Sequence, residues 1–291
     1  MTEAFPLLNT ACCGTRLGPV ETALTPRRLM SFAAAVGATD DVYMDDLRPG
    51  GILGLPPFVV VPEWEIMNGR AYRDALAMDD AGMWACLHVQ QDSTFLAPMR
   101  PGMQIATTGE IGCVRRTRLG TYVATRLSTC CVQTGTPVAE SWFCGIFLDR
   151  FPNAPDRAVA TPPDLLKGPF TAAASQSLLI VNRALPHLYT EAAAIWNPIH
   201  TERSRARAAG LPDTLLHGTC TWAAAGRALI DLLADGDPSR LRRLGGRFAT
   251  PAFAGSELFI AVEAAAAGTW RFQVTDGNGA VVLADGSATL A

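Results

Sequence analysis

The sequence predicts an α+β protein made of two similar halves, in each of which helices precede a run of antiparallel strands. Three observations lead to this prediction. The same landmarks occur twice in the same order, a proline-rich segment separates the two copies, and each copy ends in alternating polar and apolar residues around a tight turn. With 291 residues, 49% of them hydrophobic, the chain is long enough to fill a sizeable core.

The internal repeat is weak, but its landmarks keep their order and spacing. Gly-Leu-Pro occurs at residues 54–56 and again at 210–212, an offset of 156 (210 − 54). Phe-x-x-Pro with a glycine four residues later occurs at 95–98 and at 248–251, an offset of 153 (248 − 95). Tyr43 and His200 precede these landmarks with an offset of 157 (200 − 43). Offsets that agree this closely indicate a duplicated plan.

Between Asp149 and Pro169 the sequence becomes rich in proline among small and charged residues, which is typical of a linker. We therefore expect a first half at residues 1–150, a linker at 151–168 and a second half at 169–291. Residues 122–148, around a turn at 134–137, predict two antiparallel strands, and residues 270–290, around a turn at 276–279, predict two more.

Two helices are predicted in the second half. Gly218–Leu233 has apolar side chains on nearly every turn and is followed by Gly236, which predicts a long helix with many small residues. A shorter helix is predicted to begin with Asn197 as its cap and Pro198 as its first residue, and to stop at Gly210. Small residues allow a sheet to approach the long helix closely.

Composition excludes several classes of function. A net charge of −3 argues against a general nucleic-acid binder, and no apolar run approaches the roughly 18–20 residues that cross a bilayer. Glu3 and Pro6 stand where a signal peptide would carry positive charge and then an apolar segment, so we expect a cytoplasmic protein. Eight scattered cysteines without Cys-x-x-Cys, and no phosphate-binding loop, indicate neither a metal nor a nucleotide cofactor.

The motif with the clearest chemical content is Ile-Trp-Asn-Pro-Ile-His at residues 195–200, followed seventeen residues later (217 − 200) by His217 and Gly218. It resembles the signature of the MaoC-like, (R)-specific enoyl-thioester hydratases and dehydratases, which reads Asp-x-Asn-Pro-(Leu/Ile/Val)-His and is followed by a His-Gly pair. The resemblance implies a double hotdog fold, two halves in each of which an antiparallel sheet wraps a central helix. The Asp of the signature is Ile195 here.

The resemblance also implies roles for individual residues. His200 is expected to be an acid/base, Asn197 its orienting neighbour, and the Gly218 N–H the donor that binds the thioester oxygen. The expected activity is that of a lyase, hydrating an enoyl thioester or dehydrating a 3-hydroxyacyl thioester of coenzyme A or a carrier protein. His217 is expected to be structural and to hold the entry of the long helix.

The missing Asp leaves three alternatives open. Glu191 supplies a carboxylate if its segment is helical, because residues i and i+4 share a face, and Tyr189 or His187 are further candidates. Alternatively, His200 works alone on an easier reaction such as an isomerisation or cyclisation. The third alternative is a non-catalytic subunit that binds a thioester. A homodimer is possible in each case.

The first half is expected to carry no site of its own. Residues 38–43, which match the motif, hold no dyad, and the His-Gly position is expected near Val61 and Pro62. This half is expected to shape the tunnel for the acyl chain, and His88 to be a surface or core residue. Arginines occur in two groups that are candidates for coenzyme A phosphates: Arg115, Arg116, Arg118 and Arg240, Arg242, Arg243, Arg247.

Overall fold

The computed structural model describes residues 7–172 and 175–291, so Glu3 and Pro6 lie outside the described residues. One antiparallel sheet of eleven strands runs through both described parts. The first-half strands are β1 (Arg16–Ala23), β2 (Cys86–Phe95), β3 (Gln104–Arg116), β4 (Gly120–Cys131) and β5 (Pro137–Leu148), and the short β6 (Arg157–Ala158) lies in the expected linker. The second-half strands are β7 (Ser175–Ile180), β8 (Leu241–Phe248), β9 (Glu257–Ala266), β10 (Thr269–Asp276) and β11 (Val281–Leu290).

Helices fill the space that the sheet encloses. In the first half they are α1 (Pro26–Ala35), α2 (Asp41–Met44), α3 (Val60–Met67), α4 (Arg70–Leu76) and α5 (Asp80–Trp84). In the second half they are α6 (Leu185–Ala193), α7 (Arg203–Ala208) and α8 (Gly218–Leu233). Within the described part of the chain, no helix combines the length and the hydropathy needed to cross a membrane.

The order of the strands is β1-β3-β4-β5-β2-β8-β11-β10-β9-β7, with β6 paired to β3. Strands of the first half therefore stay together, as do those of the second, and the two sets meet where β2 pairs with β8. The sheet of the second half wraps α8, of which Trp222, Ala223 and Leu229 are completely buried. This arrangement is the expected double hotdog fold.

The predicted helices and hairpins are confirmed with one difference. α8 has the predicted bounds, and the two predicted hairpins are β4–β5 and β10–β11. The helix predicted from Asn197 to Gly210 is divided into a 3₁₀ turn, Pro198–His200, and α7. Asn197 caps the turn as predicted, because its Oδ1 accepts from the Ile199 N–H at 3.2 Å. The division places His200 at the end of a tight, capped turn.

Equivalent backbone hydrogen bonds relate the two halves residue by residue. The Gly54 N–H donates to the Met99 carbonyl at 2.8 Å, and the Leu216 N–H donates to the Ala252 carbonyl at the same distance. Met99 and Ala252 are already matched by the sequence offset of 153 (252 − 99), so Gly54 corresponds to Leu216.

The first-half position of Gly218 is therefore Pro56, not the predicted neighbourhood of Val61 and Pro62. The prediction was wrong because it extended the offset of the Gly-Leu-Pro triplet. In the first half, Pro56 already begins the 3₁₀ turn Pro56–Val59 that leads into α3. In the second half, residues 213–217 intervene between the triplet and α8.

Candidate active site

A cavity of about 200 Å³ lies between the two halves and is lined by residues of both. The second half contributes Asn197, His200 and Gly218, together with His217, which is expected to be structural. The first half contributes apolar side chains together with Glu63 and His88. The cavity therefore brings together three of the residues that the sequence motif marks as functional and adds polar groups from the half expected to be silent.

His200 is held by its backbone and by one ring nitrogen. The Asn197 carbonyl accepts from the His200 N–H at 3.0 Å, so Asn197 positions this histidine through the turn it caps. Nδ1 of His200 lies 2.8 Å from the Leu215 carbonyl oxygen. A carbonyl only accepts, so Nδ1 carries the proton and the neutral ring keeps its lone pair at Nε2.

The environment of His200 favours this neutral form. Burial lowers its pKa from 6.5 to about 4, and the bond to Leu215 offsets only part of that effect. The ring nevertheless keeps partial exposure and lines the cavity. A neutral imidazole whose orientation is fixed through Nδ1 is suited to take a proton at Nε2.

His217 is fixed by hydrogen bonds on one side and by stacking on the other. Its Nε2 donates to the Ile195 carbonyl at 3.1 Å and lies 3.3 Å from the Thr190 hydroxyl. Its ring stacks on His200 with 3.7 Å between centroids. Burial first, and then the charge of His200, lower its pKa well below the ordinary value. His217 thus joins three segments at the entry of α8, consistent with the structural role expected for it.

Gly218 is the first residue of α8, where a backbone N–H has no acceptor within the helix and sits at the positive end of the helix dipole. A Cβ at this position would lie 2.8 Å from Cδ1 of Phe248, which comes from β8. Glycine therefore lets the phenyl ring pack against the first residue of α8.

The position of the missing Asp is apolar. Ile195 is 6% exposed and lines the cavity, where it neither donates nor accepts a proton through its side chain. The backbone carbonyl of Ile195 helps to position His217, because it accepts a hydrogen bond from Nε2 of that ring.

The structure does not bring Glu191 to the cavity. α6 ends at Ala193, and Ala194 adopts a left-handed conformation with φ of 52°, so Glu191 and Ile195 do not share one helical face. Glu191 is exposed, as is His187. Tyr189 is buried with its ring 5.1 Å from that of His217, and it is not among the residues that line the cavity.

The structure reveals one carboxyl group that the sequence motif does not mark. Glu63, in the first turn of α3, is 3% exposed and lines the cavity. Gln91 donates to its Oε2 from Nε2 at 2.9 Å. Burial raises the pKa of Glu63 from 4.5 to about 7, against hydrogen bonds from Ser141 and Gln91 that lower it. The available signal was a carboxylate inside the otherwise apolar run at 55–64.

His88 lies on the cavity wall instead of the surface or core positions expected for it. Its ring stacks on Phe143 with 3.9 Å between centroids, and Nε2 donates to the Gln90 carbonyl at 3.0 Å. Burial lowers its pKa to about 3. His88 is therefore an uncharged part of the wall, and it contacts Phe248 edge-on at 4.7 Å.

The first half lacks the two key groups at the corresponding positions. Pro56, which matches Gly218, has no backbone N–H to donate. Tyr43, which matches His200 in the repeat, is 1% exposed and packed in the core. The fold is duplicated, but the histidine and the glycine N–H occur together at one end of it.

Most arginines of the two sequence groups contact other parts of the protein. Arg243 forms a two-point ion pair with Asp92, and Arg247 pairs with Asp285. Arg115 lies over the Tyr122 ring at 4.2 Å. Binding of coenzyme A phosphates by these groups stays a prediction. In the described ranges, 7–172 and 175–291, no group of three or more His, Cys, Asp or Glu is arranged to hold a metal ion.

Family models match both halves of the chain. The model described as a MaoC like domain matches residues 163–285, and the model described as the dehydratase domain region of FAS1-like proteins matches residues 11–141.

Curated relatives of the chain are named as hydratases or dehydratases of acyl thioesters. The chain is 26% identical to 3-hydroxyacyl-thioester dehydratase Y of Mycobacterium tuberculosis over 274 residues, which is 90% of this chain and 91% of that protein. It is 40% identical to the peroxisomal enoyl-CoA hydratase 2 of Arabidopsis thaliana over 63 residues. That match covers 22% of this chain and only 20% of the plant protein.

The fold is shared with solved structures. A MaoC-like dehydratase from Phytophthora capsici superimposes with a TM-score of 0.82 at 18% identity, covering 94% of this chain and 95% of that one. Together, the family models and the relatives support hydration or dehydration of acyl-CoA thioesters at the level of the family. The chain therefore contains a MaoC-like domain in its second half and a FAS1-like dehydratase region in its first half, arranged in the double hotdog fold of its MaoC-like structural neighbours.

Proposed function

We propose that this protein hydrates an enoyl thioester, or dehydrates the corresponding 3-hydroxyacyl thioester, with His200 as acid/base and the Gly218 N–H as the donor to the thioester oxygen. One observation carries the proposal. A neutral imidazole, held at Nδ1 by the Leu215 carbonyl, lines the same cavity as the first N–H of α8.

The chemistry matches these groups. Water adds to C3 of the enoyl group, and its oxygen must lose a proton to a base as the bond forms. His200 receives that proton at Nε2. Negative charge then develops on the thioester oxygen, where an N–H at a helix N-terminus stabilises it without reorganisation.

The rest of the cavity is suited to an acyl chain. Its first-half wall includes Val60, Met67, Met83 and Phe143, which are apolar and buried. Burying an alkyl chain against such a wall is favourable by about 0.8 kcal/mol per methylene group. We therefore assign the acyl chain to the first half and the reacting carbons to the second.

The thioester carrier, coenzyme A or a carrier protein, stays a prediction from the family resemblance. The cytoplasmic location and the homodimer likewise stay predictions, and the Arabidopsis relative is named as peroxisomal. These properties do not change the chemistry at His200.

The test is turnover of a panel of trans-2-enoyl-CoA substrates of increasing chain length, followed by loss of the ultraviolet absorbance of the conjugated thioester. We expect wild-type turnover and a fall in kcat/KM of about 10²- to 10⁴-fold in His200→Ala. His187→Ala is the matched control, since His187 is exposed on α6.

No turnover with any chain length would contradict the proposal. Tight binding of acyl-CoA without turnover would instead support the thioester-binding alternative. Conversion to a product that contains no added water would support the isomerase or cyclase alternative.

A further inference from the structure

We propose that Glu63, on α3 of the first half, is the second proton-transfer group of this site. It carries out the proton transfer that the apolar side chain of Ile195 cannot. This inference rests on the proposed function. Glu63 lines the cavity, a buried hydrogen bond holds its carboxyl group, and no other described lining residue carries a carboxyl group.

Glu63 shares the cavity with the reacting groups. The wall that includes His200, Gly218 and Ile195 also includes Glu63, and among the described residues that line it, Glu63 is the sole Asp or Glu. The other titratable groups on this wall are three histidines, Tyr72 and Cys86. Burial lowers the pKa of all three histidines and raises that of Tyr72 and of Cys86, so none of these groups carries a charge at pH 7.

The correspondence between the halves places Glu63 opposite the first turn of α8. A Cβ placed on Gly226 would lie 3.0 Å from Cγ of Pro57, so the entry to α3 packs against the middle of α8. With Gly54 matched to Leu216, the counterparts of Pro57 and Gly226 are Thr219 and Trp64. Both of these line the cavity. Glu63, the residue before Trp64, therefore lies on the turn of α3 nearest the start of α8, and it lines the cavity together with Gly218.

The carboxyl group is held in place by a buried polar chain. Gln91 donates from Nε2 to Glu63 at 2.9 Å and to the Ser93 hydroxyl at 3.1 Å. Ser141 donates its hydroxyl proton to Ser93 at 2.8 Å, and Ser141 lowers the pKa of Glu63 against the effect of burial. These contacts come from β2 and β5, so the sheet of the first half orients a residue of its helix towards the cavity.

Two nearby carboxylates do not have this combination of contacts. Glu65 is on the same helix but exposed to solvent. Asp92 is buried next to Gln91, but both of its oxygens accept from Arg243, at 2.9 and 2.7 Å. Glu63 differs from both, since it is buried, borders the cavity and forms no ion pair with another described residue.

The addition of water to the enoyl thioester balances when His200 acts as a neutral base and Glu63 as a protonated acid. The oxygen of water bonds to C3 and its proton goes to Nε2 of His200, while the π electrons of C2=C3 move towards the thioester oxygen held by Gly218. As that enolate collapses, the protonated carboxyl group of Glu63 gives its proton to C2. The product is the 3-hydroxyacyl thioester, and a proton returning from the imidazolium to the carboxylate restores both groups. Burial lowers the pKa of His200 to about 4 and raises that of Glu63 to about 7, so at pH 7 His200 is neutral and about half of the Glu63 carboxyl groups carry the proton.

The test compares Glu63→Gln with Glu65→Gln by steady-state kinetics on the best trans-2-enoyl-CoA. Glutamine keeps the size of the side chain and its hydrogen bonding with Gln91 but has no proton to transfer. We expect kcat to fall about 10²- to 10⁴-fold in Glu63→Gln, with KM changed less than about threefold, and no change in Glu65→Gln. Circular dichroism and thermal unfolding establish that both variants are folded.

A second variant tests the role itself. Adding Ile195→Asp to Glu63→Gln places a carboxyl group where the family signature has an Asp. We expect the kcat of this double variant to be at least about tenfold higher than that of Glu63→Gln alone. A folded Glu63→Gln with kcat within about threefold of wild type would overturn the inference, as would a rise in KM at unchanged kcat. Either result leaves the proposed function standing, whereas a wild type without turnover overturns both.

Discussion

The imidazole rings of His200 and His217 stack with 3.7 Å between their centroids and 23° between their planes. Each ring is tied to a carbonyl of a different segment, His200 to Leu215 and His217 to Ile195. The stack therefore joins the capped turn of the motif to the start of α8. Two positive charges at this distance repel, so a proton gained by His200 finds a neutral neighbour in His217.

The first prediction separates the roles of these two rings. His217→Phe keeps an aromatic ring against His200 but leaves the buried Ile195 carbonyl without its donor, so we expect the free energy of unfolding to fall by about 1–3 kcal/mol. His217→Gln, which retains an N–H near the position of Nε2, is expected to lose less. Urea unfolding measures both. Equal losses in the two variants would mean that this hydrogen bond is not what stabilises the entry of α8.

The second prediction concerns pH and Glu63. Its pKa is raised from 4.5 to about 7 in the folded protein, so the unfolded chain releases this proton first as pH rises. The stability contributed by the protonated carboxyl group is therefore fully present below about pH 4.5 and is lost as pH rises through about 7. Glu63→Gln lacks this effect.

We expect wild type to lose about 3 kcal/mol of unfolding free energy relative to Glu63→Gln between those two pH values. The buried histidines have lowered pKa values and act in the opposite direction, but they are present in both proteins and cancel in the difference. Denaturant unfolding at a series of pH values measures it. A difference that stays constant with pH would show that Glu63 titrates as an ordinary carboxyl group.

The third prediction tests the space around the Gly218 N–H. Gly218→Ala places a methyl group 2.8 Å from the Phe248 ring, so the ring or the helix start must shift. We expect kcat/KM on enoyl-CoA to fall about 10²-fold, since misplacing a reacting group by about 1 Å has an effect of that size. Gly277→Ala, where the new methyl group meets nothing closer than 3.9 Å, is the control. Unchanged kinetics in Gly218→Ala would argue against this N–H as the donor.

The fourth prediction concerns the junction of the halves. Arg243 on β8 pairs with the Asp92 carboxylate on β2, which is 3% exposed. Arg243→Met leaves that charge buried without a partner and is expected to lower the free energy of unfolding by about 3 kcal/mol.

Arg247→Met is the matched control, since Arg247 is 48% exposed and pairs with Asp285 near the surface. It is expected to cost less than about 1 kcal/mol. Thermal and urea unfolding measure the stability of both variants. Similar losses of unfolding free energy in the two would show that the β2–β8 junction does not depend on the ion pair between Arg243 and Asp92.

The sequence by itself determined the duplicated plan, the bounds of α8, the hairpins and the cap at Asn197. These features depend on local chemistry, namely apolar periodicity, turn residues and a side chain that caps its own turn, so they are readable without the rest of the fold. The motif also links His200 and Gly218 within one stretch of chain, and both line the cavity.

Only the tertiary structure decided which carboxyl group shares their cavity. Glu191 is close to His200 in sequence, yet the left-handed Ala194 ends its helix and leaves it in solvent. Glu63 is 137 residues from His200 (200 − 63), and it reaches the cavity because β2 pairs with β8 and the two halves enclose one space. Burial also moves its pKa, and burial is a property of the packed halves that no local pattern contains.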